Sequence, residues 1–233
     1  MSRRGYIPED EKQFRGKQLE LLKQAADEVQ YLLDHGYDVK TTTTFIGNHY
    51  MFSERQRLAL ARSVSSIEWI KERNKKELLQ QKTLKLPDTV YIDGFNVIIT
   101  LEVALSESPI FCCRDGTIRD LAGLRGTYRI IEQTQKAVEL ILRQLENLNI
   151  KVAYFYLDAP VSNSGRLSAL IKKCSEKYNL SVETQTADDV DRILEKSEGV
   201  ISGDAIILNK CISWMNLMPR ITEHIVGAWR IQL

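Results

Sequence analysis

The stretch Thr89-Val90-Tyr91-Ile92-Asp93-Gly94-Phe95-Asn96-Val97-Ile98-Ile99 decides the fold. A β-branched and aromatic run ends in Asp93-Gly94-Phe95-Asn96, and an apolar, helix-like run follows at once. In an open α/β sheet, a carboxylate at the carboxyl end of a strand faces the crevice where ligands bind. Gly94 allows a sharp strand-to-helix turn, and Asn96 suits a helix cap or a ligand contact. One Asp at a strand end is more often a cap than a ligand. The reading therefore depends on whether other carboxylates return to the same edge.

Downstream of this stretch, strands and helices alternate. The pattern predicts a helix over 95–106, then a hairpin with Ile110 to Cys113 as one arm and an Arg114-Asp115-Gly116 turn. A long amphipathic helix follows over Thr127 to Asn147, then a buried strand from Ile150 to Leu157 that ends in Asp158. A helix over Ser164 to Tyr178, a strand over Ser181 to Gln185 and a short helix over Asp188 to Lys196 come next. Gly199 to Ser202 is a strand ending in Gly203-Asp204, and the tail suggests an edge strand near His224–Val226. Such alternation means βαβ units and a mostly parallel, doubly wound, Rossmann-like α/β sheet. Counting the strands that end near 93, 157, 185 and 202 and then the tail, the expected order is 3-2-1-4-5, with strand 1 at the switch point.

Upstream the chain reads as helical. Residues 1–8 form a basic tail. Phe14, Leu21, Leu22, Ala25, Val29, Leu32 and Leu33 then recur at helical spacing until Gly36. Val39 to Gly47, with four consecutive threonines, reads as a loop or a short extended segment. Ser53-x-x-Gln56 is a capping box that opens a helix expected to run to about Gln81. Arg55, Arg57 and Arg62 crowd its first half and are expected on an exposed face near the acidic edge. Lys85-Leu86-Pro87-Asp88 is the boundary, because Pro87 blocks helix continuation. The expected organisation is a small helical module over 1–86 and an α/β domain over 87–233.

Composition narrows the chemistry. The 233 residues are 43% hydrophobic and 27% charged, as in ordinary globular chains. No apolar run approaches the roughly 18 residues of a membrane span, and the polar start suggests no signal peptide. The cytoplasm, with no membrane partner, is the default expectation. Four cysteines lack C-x-x-C spacing and there are three histidines, so a zinc site is disfavoured. Residues 1–85 carry 16 Lys/Arg against 12 Asp/Glu, a net of +4, while 86–233 carry 16 against 19, a net of −3. A basic front and an acidic back suit a polyanion-binding arm joined to a metal-binding body, although charges this small also arise by chance.

Three strands end alike. Tyr91-Ile92-Asp93, Tyr156-Leu157-Asp158 and Ile201-Ser202-Gly203-Asp204 each place an Asp at or just past a strand's carboxyl end. Right-handed crossovers bring those ends to one edge. Asp188, Asp189 and Asp191 open the preceding helix and are candidates for the same place. Clustered carboxylates repel unless a cation neutralises them, so Mg²⁺ or Mn²⁺ is the economical cofactor, able to activate water and steady a phosphoryl group. The competing explanation is that each Asp is a helix N-cap.

Asp93-Gly-Phe-Asn96, Asp158 after an aromatic strand, Asp189 and Ile201-Ser-Gly-Asp204 together resemble the NYN domains, PIN-like nucleases, over roughly 88–210. The resemblance implies a PIN-like sheet and divalent-metal-dependent RNA cleavage. It makes Asp93 and Asp204 principal metal ligands, with Asp158 and Asp188 or Asp189 completing the cluster. Asn96 and Ser202 would position phosphate or ligands. The hairpin segment 107–128 is extra to that pattern, and Ser-Gly-Asp-Ala-Ile-Ile lacks the second carboxylate of its usual ending. The whole chain also resembles a two-part prokaryotic family of unknown function, on Gly36-Tyr37, Gly47-Asn48-His49-Tyr50 and Arg55-Gln56-Arg57.

Two more stretches are candidates for substrate contact. Ser162, Asn163 and Ser164 at a helix start offer N–H groups to an anion, with Arg166 as a clamp; a capped turn explains them equally well. Arg119, Arg125 and Arg129 form a basic cluster, with Asp120 as an additional ligand candidate, and a salt-bridged hairpin has the same composition. The leading expectation is a metal-dependent ribonuclease with catalytic Asp93, Asp158 and Asp204, acting on single-stranded or structured RNA, as a monomer or homo-oligomer. The alternatives are a non-catalytic RNA- or nucleotide-binding module and a phosphohydrolase for small esters. Phe95 in place of a second Asp counts against haloacid-dehalogenase chemistry. Dinucleotide and P-loop glycine motifs are absent.

Overall fold

A computed structural model describes residues 3–81, 85–123 and 126–233. In chain order its elements are α1 (Asp10–Gln13), α2 (Gly16–Asp34), α3 (Val39–His49), α4 (Glu54–Ser63), α5 (Ile67–Lys76), β1 (Thr89–Asp93), α6 (Gly94–Leu105), β2 (Pro109–Cys112) and β3 (Ile118–Asp120). There follow α7 (Glu132–Asn147), β4 (Val152–Asp158), α8 (Ser164–Ser175), β5 (Ser181–Ala187), α9 (Val190–Leu194), β6 (Val200–Ile201), α10 (Ala205–Lys210), α11 (Leu217–Thr222) and β7 (Trp229–Gln232).

The central sheet runs β5-β4-β1-β6, and all three pairings are parallel. This is the expected 3-2-1-4. Asp93 lies opposite Tyr156 of β4, and Ile92 opposite Ile201 of β6, so Asp158 and Ser202 fall at the same edge as Asp93. Side-chain alternation sends Val90, Ile92, Ala153 and Phe155 into a core with α6, α7 and α8. Tyr91, Tyr154 and Tyr156 face the other way, towards Val190, Leu194, Ile207, Leu208 and Trp214. Helices therefore cover both faces. Each fully buried Leu, Ile or Phe is worth about 1.5–3 kcal/mol, so these clusters hold the sheet edge in place.

The tail departs from expectation. Residues 224–226 are not a strand; β7 begins at Trp229 and joins β2 in a second sheet, β3-β2-β7. The reason is packing: Ile231 and Leu233 are buried with Phe14, Phe52, Leu60 and Phe111 in a core shared by the front helices and the hairpin.

The front helices differ from expectation twice. Val39–His49 is helical rather than extended. Asp38 caps it by accepting from the Thr41 N–H at 2.9 Å, and the hydroxyls of Thr43 and Thr44 donate back to the Val39 and Lys40 carbonyls. Those local bonds offset the low helix propensity of threonine. The helix after the Ser53–Gln56 capping box stops at Ser63, and Ser66 caps a separate α5. The far end of α5 is anchored on the α/β body. Lys76 Nζ donates to the carbonyls of Leu208, Asn209 and Cys211, each at 2.9 Å, and the Trp214 indole N–H donates to the Arg73 carbonyl at 2.7 Å.

Candidate functional site: the acidic sheet edge

Gly94 brings the start of α6 against β4. A Cβ there would lie 2.6 Å from Leu157 Cδ2 and 2.8 Å from the Tyr156 carbonyl oxygen, so the close approach needs glycine. Asp93 occupies the N-cap position of α6, yet its side chain makes no capping bond. Its Oδ2 instead accepts from the Ser202 hydroxyl at 2.8 Å, and the residue is 7% exposed. The cap explanation thus fails for Asp93. It holds for Asp204, whose Oδ1 accepts from the N–H groups of Ile206 (2.7 Å) and Ile207 (3.3 Å).

The Ser202-Gly203-Asp204 loop is clamped onto this turn. Asn96 Oδ1 accepts from the Gly203 N–H at 2.8 Å, Ser202 Oγ accepts from the Asp204 N–H at 3.0 Å, and Arg119 Nε donates to the Gly203 carbonyl at 2.6 Å. Asn96 and Ser202 therefore position the loop that carries Asp204. Arg119 is buried; its other nitrogens donate to the Arg62 carbonyl and to Asp115. Asp115 also holds Arg73, so one buried carboxylate joins α5 to the hairpin. Burial opposes the charge of Asp115, but Arg119, Thr117 and Arg73 outweigh it and keep its pKa below the usual range.

Electrostatics distinguish the edge from an ordinary set of caps. Burial pushes the Asp93 carboxyl up to about 7; the Ser202 bond opposes this, and the charges of Asp204, Asp158 and Asp191 add to it. Asp158 is raised by partial burial. Asp191 is raised by partial burial and then by Asp204, Asp158 and Asp189. Among the described residues none of Asp93, Asp158, Asp191 and Asp204 forms a salt bridge. Of the three candidates Asp188, Asp189 and Asp191, Asp191 is the one that shares the field of the cluster, although the family resemblance pointed to Asp188 or Asp189. Asp188 and Asp189 are exposed. Asp189 caps α9 through the Arg192 N–H at 3.3 Å and pairs with the Arg192 side chain at 3.1 Å.

The remaining candidates are dispersed. Ser162 Oγ accepts from the Tyr128 N–H at 2.9 Å, and Asn163 Nδ2 donates to the Tyr128 carbonyl at 2.6 Å. Asn163 is left-handed at φ 64°, and Ser164 opens α8 without a side-chain cap. These residues fasten the turn after β4. Arg129 and Arg166 are exposed, and Arg125 lies outside the described residues. Asp120 accepts from Thr100 Oγ1 at 2.6 Å and from the Ala122 N–H at 2.7 Å, which occupies both of its oxygens.

The three front-half arginines do not share an exposed face. Arg55 grips Asp10, which is fully buried, with Nε 2.5 Å from Oδ1. Arg57 donates to the carbonyls of Phe52 and Thr44 and to Asn48 Oδ1. Arg62 alone borders the acidic edge, across a cleft of about 710 Å³ that also touches Asn96, Asp120 and Asp204. Sequence periodicity missed this because tertiary contacts, not helical phase, decide it: Arg55 meets Asp10 and the Leu121 carbonyl, and Arg57 is bonded within the front helices.

Among the described residues, no group of three or more His, Cys, Asp or Glu side chains is placed to enclose a metal ion. A cage built from protein alone therefore does not fit this edge as it is folded. No described helix is long and apolar enough to cross a membrane.

Two family models match the chain: residues 83–220 match a domain of unknown function, DUF5616, and residues 21–76 match a protein of unknown function, DUF434. The chain is 35% identical over 191 residues to the uncharacterized protein MJ0935 of Methanocaldococcus jannaschii, an alignment covering 80% of this chain and 88% of that one. No solved structure matches. With more than half of its length under one model and an archaeal relative aligned over 80% of it, the chain belongs to the DUF5616 family, here preceded by a DUF434 segment.

Proposed function

We propose that the acidic edge hydrolyses RNA phosphodiesters in the manner of the PIN-like, NYN-type nucleases that the motif pattern resembles. One observation carries this reading. Asp93 is a buried carboxyl that caps nothing, is held by Ser202, and sits in the field of three further aspartates from β4, α9 and the β6–α10 loop. Such a group is strained while its neighbours are ionised, and arrival of positive charge relieves it. With a pKa near 7, Asp93 can also take or release a proton at neutral pH, the property required of a general acid or base.

Mg²⁺ or Mn²⁺ is the expected cofactor. Mg²⁺ is commonly held by one or two carboxylates together with substrate phosphates and water, so it would arrive with the RNA rather than wait in a preformed cage. Within the chain, Ser202 orients Asp93, while Asn96 and Arg119 hold the Asp204 loop against it. A second reading, RNA or nucleotide binding without turnover, is favoured by the lack of a three-ligand group among the described residues.

The test is cleavage of a mixed RNA pool with Mn²⁺, repeated with EDTA, by wild type, Asp93→Asn and Asp204→Asn. Hydrolysis at this edge predicts loss in EDTA and in both variants, which stay folded because Asn retains the hydrogen-bonding oxygen. Cleavage that survives in both variants rejects the edge as the catalytic centre. Inactive wild type that still binds RNA selects the second reading.

A further inference from the structure

We propose that the cleft between the front helices and the acidic edge takes one unpaired nucleotide of an RNA strand. Its base stacks on the aromatic wall formed by Tyr37 and Trp69, and its phosphate meets Arg62. This rests on the reading of the edge as directed at RNA, and it adds the site that presents the strand.

The cleft, about 710 Å³, lies within the roughly 300–1,000 Å³ typical of ligand pockets. One wall is the site itself, through Asn96 and Asp204; the other comes from the front helices. Tyr37, in the turn after α2, is 57% exposed, and Trp69 on α5 is 46% exposed. Single exposed aromatics are common on protein surfaces. Here two share one concavity with a guanidinium and the candidate catalytic edge. Aromatic faces in such a position suit the π-face of an unpaired base, which a duplex keeps stacked inside.

The polar groups sort themselves by what they have left to offer. Arg73 and Arg119 line the cleft but are buried, and Asp115, Asn209 and Gly203 take Nη1 and Nε of Arg73 and Nη2 and Nε of Arg119. Arg62 is 36% exposed in its side chain; its Nη1 donates to the Asp120 carbonyl and lies 3.9 Å from Asp120 Oδ1. Its Nε and Nη2 have no hydrogen-bond partner among the described residues and match a phosphate. Asn209 gives its oxygen to Arg73 Nε at 2.6 Å, which leaves its amide N–H groups for an acceptor on a base edge. Recognition is thus mainly stacking with a single phosphate contact. Each phosphate contact on a single strand contributes about −0.7 to the log–log salt slope, so binding here should have a slope of about that size.

The experiment is fluorescence anisotropy of labelled oligo(U) and oligo(A) 8-mers with the full chain in EDTA, across a salt series. Wild type should bind single strands in preference to duplex, with the shallow slope above. Trp69→Ala should weaken binding on the order of tenfold, and Trp69→Phe should restore most of it. Arg62→Ala should weaken binding and flatten the remaining slope. Circular dichroism of each variant identifies any unfolding. Folded Trp69→Ala and Arg62→Ala with wild-type affinity, a preference for duplex, or no binding by wild type each overturns the cleft. If those variants bind and cleave normally, hydrolysis stands without the cleft. If wild type binds through Trp69 but cleaves nothing with Mn²⁺, the cleft stands and hydrolysis falls.

Discussion

Replacing Asp93 by Asn isolates the electrostatic cost of the acidic edge. The Asp93 carboxyl moves from an ordinary 3.8 to about 7 on folding. Because burial raises the pKa, the folded chain keeps a proton that the unfolded chain has already released. Stability from this group is fully present below pH 4 and is lost as pH climbs to about 7. At 1.36 kcal/mol per pH unit the loss is roughly 4 kcal/mol, an upper figure because cations screen the edge. Asn at this position is neutral throughout and still accepts from Ser202. Urea unfolding in EDTA at pH 5, 6.5 and 8 should therefore show the variant pulling ahead of wild type as pH rises, by up to roughly 4 kcal/mol at pH 8. Mn²⁺ added at pH 8 should raise the wild-type melting temperature more than that of the variant. A stability difference that is the same at pH 5 and pH 8 would refute the coupled-carboxylate account, because Asp93 would then ionise as an isolated surface acid does.

Asp115→Ala leaves the buried guanidiniums of Arg73 and Arg119 without their shared carboxylate, and should cost about 3–5 kcal/mol of unfolding free energy, measured by urea titration. Arg55→Ala strands the buried Asp10 and should lower stability by a similar ~3–5 kcal/mol, while RNA affinity, measured by anisotropy, stays at the wild-type value. Gly94→Ala drives a methyl into Leu157 and the Tyr156 carbonyl; thermal unfolding should show a loss of about 1–3 kcal/mol, and RNA cleavage should fall with it because Asp93 is displaced.

Much of the α/β half was legible because its signals are local. The runs 89–93 and 152–158 are β-branched and aromatic with alternating burial, and each ends in Asp. The order of the first four strands followed from the doubly wound pattern with strand 1 at the switch point, while the fifth, the tail, went to the other sheet. The Arg114-Asp115-Gly116 hairpin was equally plain, although the burial of Asp115 was not. The failures fall where weak local preferences compete with side-chain bonds. The threonines of 41–44 look extended by propensity, yet Asp38 and two back-bonding hydroxyls make them helical. One helix stops at Ser63 and Ser66 caps the next, a signal easily hidden inside a continuous periodicity.

The candidate site divides along the same line. Sequence by itself determined that Asp93, Asp158 and Asp204 stand at strand ends, because a run's composition and its terminating residues encode where a strand stops. It could not tell a cap from an uncapped carboxylate. That difference is a matter of which N–H or O–H group lies within about 3 Å: for Asp204 it is the N–H of Ile206, two residues on, but for Asp93 it is the hydroxyl of Ser202, 109 residues away. Tertiary structure alone decided that Ser202 holds Asp93, that Asp189 is a cap while Asp191 joins the acidic field, and that Arg55 is spent on Asp10 while Arg62 borders the cleft. It also decided that the tail completes the small sheet rather than the large one. Phe111, Ile231 and Phe14 could bury their side chains there together, and burial depends on partners that no window of sequence contains.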